Sequence, residues 1–174
     1  MLFDKESKYP KTFVIYRKCL LDWKIKIEEE YYKPPGKPFV EFHYENKHCE
    51  KSTYTEKYSN KIAYRLDDKW FDGYEKQKIL IIDKFTGSQL YFSTLLKILS
   101  GQQRYFDIKG AKEINHVKHV IITSNKKLNN IYKSFEYNEE QFDWQINAIW
   151  HYKKSDTGFS ERKCEKNPYL KQLH

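Results

Sequence analysis

Short apolar runs along the chain alternate with longer segments in which apolar residues recur at helical spacing. Runs of about 4–8 residues rich in β-branched and aromatic side chains predict strands, and helical spacing predicts amphipathic helices. The predicted strands are residues 39–44, 61–66, 78–83, 105–110 and 119–125. Helices are predicted for 12–32, for a segment from about Lys51, and for 88–101, while 139–152 predicts a helix or a helix plus a strand.

The order of these elements predicts an α/β fold. Nearly all-apolar strands separated by helices are typical of a parallel sheet that is covered on both faces. Ligands of such sheets bind beyond the carboxyl ends of the strands. Candidate functional residues are therefore sought directly after three of the predicted strands, at 45–53, 83–84 and 123–125.

The composition allows one compact domain and favours an anionic partner. The 174 residues are 39% hydrophobic and 17% aromatic, which is enough to bury a core. The 32 Lys and Arg against 24 Asp and Glu give a net charge of +8, and cations that bind phosphates release counterions. A solvated Lys-rich surface would produce the same excess, so charge alone leaves both interpretations open.

The cysteine count and the lack of long apolar segments disfavour several classes of protein. Three cysteines without close pairing argue against a secreted disulfide scaffold. No stretch approaches the ~18 apolar residues of a membrane span, and the first residues lack the apolar core of a signal peptide. We expect an intracellular protein with no membrane partner, and the sequence does not distinguish nucleus from cytoplasm.

Histidines and cysteines do not form a metal motif. His43, His48 and Cys49 lack a fourth ligand at the spacing of a zinc site, so no zinc is expected. His116 and His119 stand three apart among apolar residues and are better explained as surface or core residues than as a metal pair.

Polar residues at the strand ends form a set that is typical of a nucleotide site. Lys51 and Ser52 open a predicted helix after the first strand. Asp83 ends the strand "KILIID", and Asn125 ends "VIITSN". In this order they match the Lys and Ser of a Walker A motif, the Asp of a Walker B motif and the polar sensor of a P-loop helicase. Each alone is a weak signal, because each residue type also serves as an ordinary cap or turn.

Several motifs in order resemble one known family. "DKWFDGY", the strand ending in Asp83, the "KG" turn and "VIITSN" look like the helicase half of replication initiator (Rep) proteins of circular single-stranded DNA viruses, the circovirus-like group. The upstream "YPKTFVIYRKCLLDW" resembles the entry segment of that family, and the resemblance covers roughly residues 9–152. It implies a superfamily 3 helicase domain with an AAA+-like P-loop fold. The nicking domain of those proteins is expected to be absent from this chain.

The resemblance implies a function for each strand-end residue. Such a helicase couples ATP hydrolysis, with Mg²⁺, to movement along a single strand of DNA or RNA as a homo-oligomeric ring. Lys51 would hold the phosphates of ATP. Ser52 and Asp83 would hold the Mg²⁺. Asn125 would contact the γ-phosphate or the attacking water.

The resemblance also implies a nucleic-acid contact. In superfamily 3 rings a hairpin between the Asp strand and the Asn strand reaches the nucleic-acid backbone, and the matching piece here is residues 107–118. Lys109 and Lys112 would bind phosphates there without reading sequence. A solvated hairpin remains the alternative. Neither interpretation distinguishes DNA from RNA.

The chain departs from the family at the phosphate loop. The family loop is rich in glycine, whereas residues 45–52 read "ENKHCEKS", with Glu45, His48 and Glu50 at the glycine positions. A non-glycine residue at positive φ costs about 1–2 kcal/mol. A carboxylate about 4 Å from a phosphate charge would add roughly 4 kcal/mol of repulsion at an effective dielectric of 20.

Two further departures affect catalysis. Lys84 stands where the family has a second acid, and a lysine there cannot serve as the catalytic base and would compete with Mg²⁺. Residues 141–150 contain no arginine, whereas the family has an Arg pair in that region. These losses favour weak or absent ATP hydrolysis.

Three hypotheses about function follow. The first is a Rep-like superfamily 3 helicase domain, ATP-dependent by descent. The alternative is a catalytically inactive nucleic-acid-binding or ring-interaction module of the same fold. An unselected relic is a third possibility. The expected organisation is an N-terminal helical entry segment at 1–36, a P-loop helicase-like domain at 37–153 and a polar C-terminal tail at 154–174.

Overall fold

A computed structural model describes residues 10–44, 51–127, 130–132, 139–154 and 160–166. The helices in these ranges are α1 (Pro10–Tyr31), α2 (Lys51–Glu56), α3 (Phe92–Leu99) and α4 (Glu139–Asp143). The strands are β1 (Phe39–Tyr44), β2 (Ala63–Arg65), β3 (Ile79–Ile82), β4 (Tyr105–Ile108), β5 (Ala111–Ile114), β6 (His119–Ser124), β7 (Ala148–Lys154) and β8 (Ser160–Lys166). None of the helices in the described part of the chain has the length and apolar character that a membrane span requires.

The main sheet has six strands in the order β2-β3-β6-β1-β7-β8. Each neighbouring pair from β2 to β7 is parallel, and β8 pairs with β7 in the antiparallel direction. β6 lies between β3 and β1, and Ile122 is in register with both Ile82 and Phe42. The predicted α/β fold is therefore confirmed, with a mostly parallel sheet of the P-loop type.

One face of the sheet carries most of the hydrophobic core. Alternate residues of β1, β3 and β6 point to this face, because side chains along a strand alternate between the two faces. These strand residues are Val40, Phe42, Leu80, Ile82, Val120 and Ile122, all 0% exposed. Leu95, Ile98 and Leu99 of α3 and Phe142 of α4 cover them. The core thus forms where two helices pack on three adjacent strands.

The opposite face is smaller and more polar. Its apolar cluster contains Ala63, Ile81 and Ile121, against which Tyr54 and Tyr58 pack from α2 and the turn after it. Glu41, His43 and Thr123 point to the same face and are also buried. Helices therefore cover both faces, as predicted, but only one face is dominated by apolar side chains.

The helix predicted at 88–101 is shorter than the sequence pattern indicates. α3 begins at Phe92, because the residues before it form a turn. The side chain of Gln89 accepts a hydrogen bond from the Thr86 amide at 3.1 Å and donates one to the Lys84 carbonyl at 3.1 Å. Gly87 adopts a φ of 94°, which α-helical backbone does not allow.

The strand β8 was not predicted, since its residues fall in the segment that the sequence pattern indicates as a polar tail. Its sequence "SERKCEK" offers no apolar run. The strand nevertheless pairs with β7 from Ser160↔Lys154 to Lys166↔Ala148. Antiparallel pairing at a sheet edge is formed by the backbone, so it leaves little hydrophobic signal in the sequence.

A separate hairpin of β4 and β5 connects α3 to β6 and is held by two other segments of the chain. The ring of Phe106 stacks on Phe71 with centroids 4.0 Å apart. Lys24 of α1 donates to Glu113 at 3.0 Å, and the hydroxyl of Tyr32, directly after α1, donates to the carbonyl of Asn115, directly after β5, at 2.8 Å. The hairpin is thus a packed part of the domain.

Gly101 generates a testable prediction, because the loop after α3 touches the loop after α1 there. Gly101 has a φ of 77°, and an added Cβ would lie 2.4 Å from the Gly36 carbonyl oxygen. Gly73 has a similar φ of 81° with nothing within 4 Å of an added Cβ. Gly101→Ala should lower the free energy of unfolding in urea by about 1–3 kcal/mol more than Gly73→Ala. Equal losses would show that the backbone moves freely at 101.

Candidate functional site

The carboxyl ends of β1, β3 and β6 meet at one edge of the sheet. Ile82 is in register with Ile122, so Asp83 follows β3 beside Thr123. Asn125 follows β6 directly. Lys51 and Ser52 are the first two residues of α2, described by their backbone alone, and the predicted phosphate-loop residues 45–50 lie outside the described residues.

Thr123 fixes the end of β3. Its buried hydroxyl donates a hydrogen bond to Asp83 Oδ1 at 2.5 Å and accepts one from the Lys84 amide at 2.9 Å. The Phe85 amide donates to the Thr123 carbonyl at 2.7 Å. One threonine thus holds three consecutive residues of the Asp83 strand against β6, and one oxygen of the Asp83 carboxylate is already engaged.

Lys84 is held in an unusual backbone conformation. Its φ is 51°, in the left-handed region, which costs a non-glycine residue about 1–2 kcal/mol. Its amide is bonded to Thr123 and its carbonyl to Gln89. The backbone on both sides of the Lys84 side chain is therefore fixed, and this exposed ammonium-bearing residue directly follows Asp83.

Asn125 is exposed at the end of β6. The residue before it, Ser124, is buried, donates to the Phe85 carbonyl at 2.7 Å and accepts from the Lys126 amide at 3.1 Å. The fold therefore brings Asp83 and Asn125 to neighbouring strand ends, as the sequence predicts. Their roles in nucleotide binding stay predictions.

A buried polar network lies beneath α2 and was not predicted. Its centre is the Glu41 carboxylate: Oε2 accepts from the Tyr54 hydroxyl at 3.1 Å, lies 3.1 Å from His43 Nε2, and lies 3.8 Å from His119 Nε2. His43 Nδ1 is 2.9 Å from the Tyr152 hydroxyl. We call these five residues the Glu41 network. The only signal in the sequence is the pair of polar residues that alternates with apolar ones in "FVEFHY".

The Glu41 network anchors α2 to β1. Burial alone would raise the pKa of Glu41, but the nearby His119 and the hydrogen-bonded His43, together with their charges, lower it well below its usual range. The His43 ring also stacks on Tyr54 with centroids 4.6 Å apart. At the other end of α2, Arg65 Nη2 donates to the Thr55 carbonyl at 2.5 Å. The helix that begins with Lys51 is thus fixed from two sides.

The tip of the hairpin holds Lys109 through its neighbour Asp72. The Lys109 amide donates to Asp72 Oδ1 at 2.7 Å, and its ammonium lies 3.2 Å from Asp72 Oδ2. The pKa of Asp72 is lowered, chiefly by the hydrogen bond from the Lys109 amide. Arg17 of α1 donates to the Lys109 carbonyl at 3.4 Å. Lys109 is therefore engaged by the "KWFDGY" segment, a contact that the sequence did not reveal.

Lys112 lies on β5 in a different environment. It is exposed, and its ammonium lies 5.9 Å from the centroid of the Tyr105 ring. The guanidinium of Arg104 lies 5.4 Å from the same centroid. Asp107 stands opposite Lys112 in the hairpin register. This side of the hairpin thus combines two cations with an aromatic ring and one carboxylate.

Within the described part of the chain, no group of three His, Cys, Asp or Glu side chains could hold a metal ion. His43 and His119 belong to the Glu41 network, and His48 and Cys49 lie outside the described residues. His116 donates its amide to the Tyr74 hydroxyl at 2.9 Å.

Comparisons with known proteins find viral replication-associated proteins. The chain is 37% identical over 83 residues to that of human associated cyclovirus 1, a match that covers 48% of this chain and 29% of the relative. It is 34% identical over 77 residues to that of pigeon circovirus (44% and 24%), and 25% identical over 131 residues to that of beak and feather disease virus (75% and 40%). The chain therefore spans less than half the length of these relatives. No family model matches the chain. The matches support a relationship to replication-associated proteins.

Thr123→Val tests whether the threonine fixes the end of β3. Valine keeps the shape but removes both hydrogen bonds, leaving the Lys84 amide without its acceptor. We expect a loss of about 1–3 kcal/mol in the free energy of unfolding. The same substitution at the exposed Thr86 should change it by less than about 0.5 kcal/mol. Equal effects in urea denaturation would contradict the role given to Thr123.

The Glu41 network predicts a dependence of stability on pH. Because folding lowers the pKa of Glu41 below its ordinary value of 4.5, the ionised carboxylate stabilises the protein above that pH, and this stability is lost as the pH falls below it. Glu41→Gln should be less stable at neutral pH and should lose less stability than the wild type between about pH 5 and pH 3. The matched variant Glu56→Gln, at an exposed residue of α2, should lose as much stability as the wild type over the same pH range.

Proposed function

We propose that this chain is a nucleic-acid-binding module of a Rep-like replication protein, built on a P-loop-type sheet that binds and hydrolyses ATP weakly or not at all. The observation that carries the proposal is the β4–β5 hairpin, whose Lys112 side combines two cations with an aromatic ring and one carboxylate. Lysine and arginine bind phosphates, and aromatic rings stack on unpaired bases. The net charge of +8 favours the same partner.

Lys112 is the better candidate of the two predicted hairpin lysines. The ammonium of Lys109 already pairs with Asp72, so a phosphate would have to replace that carboxylate. The ammonium of Lys112 lies over an aromatic ring, beside Arg104 at the same ring. We therefore assign the main contact with the nucleic-acid backbone to Lys112 and a structural role to Lys109.

The proposed nucleotide site fits Mg²⁺-ATP poorly. Mg²⁺ in such sites needs carboxylate oxygens, yet one oxygen of Asp83 accepts from Thr123 and the next residue is a lysine. Lys84 directly follows Asp83, so its positive charge disfavours a cation there. Lys51 and Ser52 would contact the phosphates if a nucleotide bound, with no glycine between residues 45 and 50 to bring backbone amides close.

An ATP-dependent helicase remains a second proposal, favoured by one observation. The fold brings Asp83 and Asn125 to adjacent strand ends, the arrangement that the resemblance to superfamily 3 helicases implies. In that case the active form would be a homo-oligomeric ring acting on single-stranded DNA or RNA. Turnover of ATP distinguishes the two proposals.

The hairpin assignment predicts a salt-dependent binding defect. Lys112→Gln should weaken binding of a fluorescent single-stranded oligonucleotide several-fold, and should reduce the slope of log affinity against log salt concentration by about 1. Lys61→Gln removes another exposed lysine, outside the hairpin, and should change neither quantity much. If both variants behaved alike, binding would depend on net charge and not on the hairpin.

The state of the nucleotide site can be measured directly. We expect Mg²⁺-ATP turnover by the purified protein, with or without single-stranded DNA or RNA, to be no greater than that of Lys51→Ala. Isothermal titration should likewise show no ATP affinity that this substitution removes. Turnover that Lys51→Ala abolishes would contradict the proposal and support the helicase.

A further inference from the structure

A cavity of about 630 Å³ opens beside the hairpin, on the side of α3. Its volume lies within the usual range of ligand sites. Aromatic rings and one lysine form much of its wall: Lys69, Trp70, Tyr91, Phe92 and Tyr132. Tyr91 is 82% exposed, directly before α3, while the hydroxyl of Tyr132 donates to the Leu90 carbonyl at 3.0 Å. We call this space the aromatic cavity.

A second cavity of about 360 Å³ adjoins it at the base of the hairpin. It is lined by Lys97, Arg104 and Lys112 around Tyr105. Arg104 lies 3.7 Å from Glu29, so that carboxylate offsets part of its charge. We call this space the basic cavity.

The two cavities share a wall. Gln103 and Asp107 line both of them. The Gln103 side chain donates to the Tyr105 carbonyl at 2.6 Å, so it is a fixed part of this wall. An elongated ligand can therefore occupy both spaces, with an aromatic part on one side of Gln103 and an anionic part on the other.

We infer that the paired cavities bind one nucleotide unit of a single strand, with its base in the aromatic cavity and its phosphate in the basic cavity. This inference rests on the proposed function and adds a base-binding site to it. Bases stack on aromatic side chains whatever their sequence. Lysine and arginine bind the phosphate, and Lys69, whose ammonium lies 5.6 Å from the Trp70 ring, adds charge at the outer wall.

Asp107 restricts how the ligand is placed, because it lines both cavities and stands opposite Lys112. Its carboxylate repels a phosphate but accepts hydrogen bonds from the N–H groups of a base. A phosphate is therefore favoured next to Lys97 and Arg104, which of the two cavities line only the basic one, and the edge of the base next to Asp107. An apolar peptide would fill the aromatic cavity but would bring no anion to the cations of the basic cavity.

Binding of matched oligonucleotides tests the site. The probes are fluorescent DNA and RNA single strands of about 12 nucleotides, each beside a strand of equal length that contains abasic sites. Stacking predicts that the wild type binds the strands with bases more tightly. Tyr91→Ala should weaken that binding roughly 10-fold and leave binding of the abasic strands unchanged. Tyr91→Phe keeps the ring and should bind like the wild type.

Tyr31→Ala is the matched control, because Tyr31 is 80% exposed on α1 and lines neither cavity. It should bind all strands like the wild type, and thermal unfolding checks that every variant is folded. Equal binding of intact and abasic strands, or equal behaviour of Tyr91→Ala and Tyr31→Ala, would overturn the base site while nucleic-acid binding stands. Failure of every strand to bind would overturn the proposed function as well.

Discussion

The position of β6 between β3 and β1 is the constraint on which the rest of the structure depends. It is the only strand of the described sheet that joins the Asp83 strand to β1, which precedes the predicted phosphate loop. Its register places Thr123 beside both Asp83 and His43. A shift by one residue would turn Thr123 to the apolar face and expose Val120 and Ile122 to the polar one. The register of β6 therefore determines both the packing of the core and the positions of the residues at the strand ends.

The two faces of the sheet hold their helices by different interactions. On the α3 face, apolar side chains bury surface and hold two helices without specifying fine detail. On the α2 face, hydrogen bonds around Glu41 require particular partners from β1, α2 and β7, and His119 of β6 lies 3.8 Å from the Glu41 carboxylate. Buried hydrogen bonds of this kind fix the orientation of the side chains that they join. The helix that begins at Lys51 is consequently placed by directional contacts.

The sequence predicts the strands with apolar runs, since burial between two layers of helices leaves a strong pattern in β3 and β6. It also predicts Asp83 and Asn125 at one edge, because parallel strands end on the same side. Three features of the structure are not predicted by the sequence pattern. The edge strand β8 depends on backbone pairing, the Glu41 network joins residues far apart in sequence, and the turn before α3 depends on the side-chain bonds of Gln89.

The attachment of the hairpin at both its tip and its base has a mechanical consequence. Asp72 and Arg17 hold Lys109 at the tip, while Lys24 of α1 holds Glu113 near the base. A hairpin that is bonded at both its tip and its base does not pivot about one end. A force applied to this hairpin would therefore pass into α1 and the 67–74 segment, and the hairpin itself would bend little.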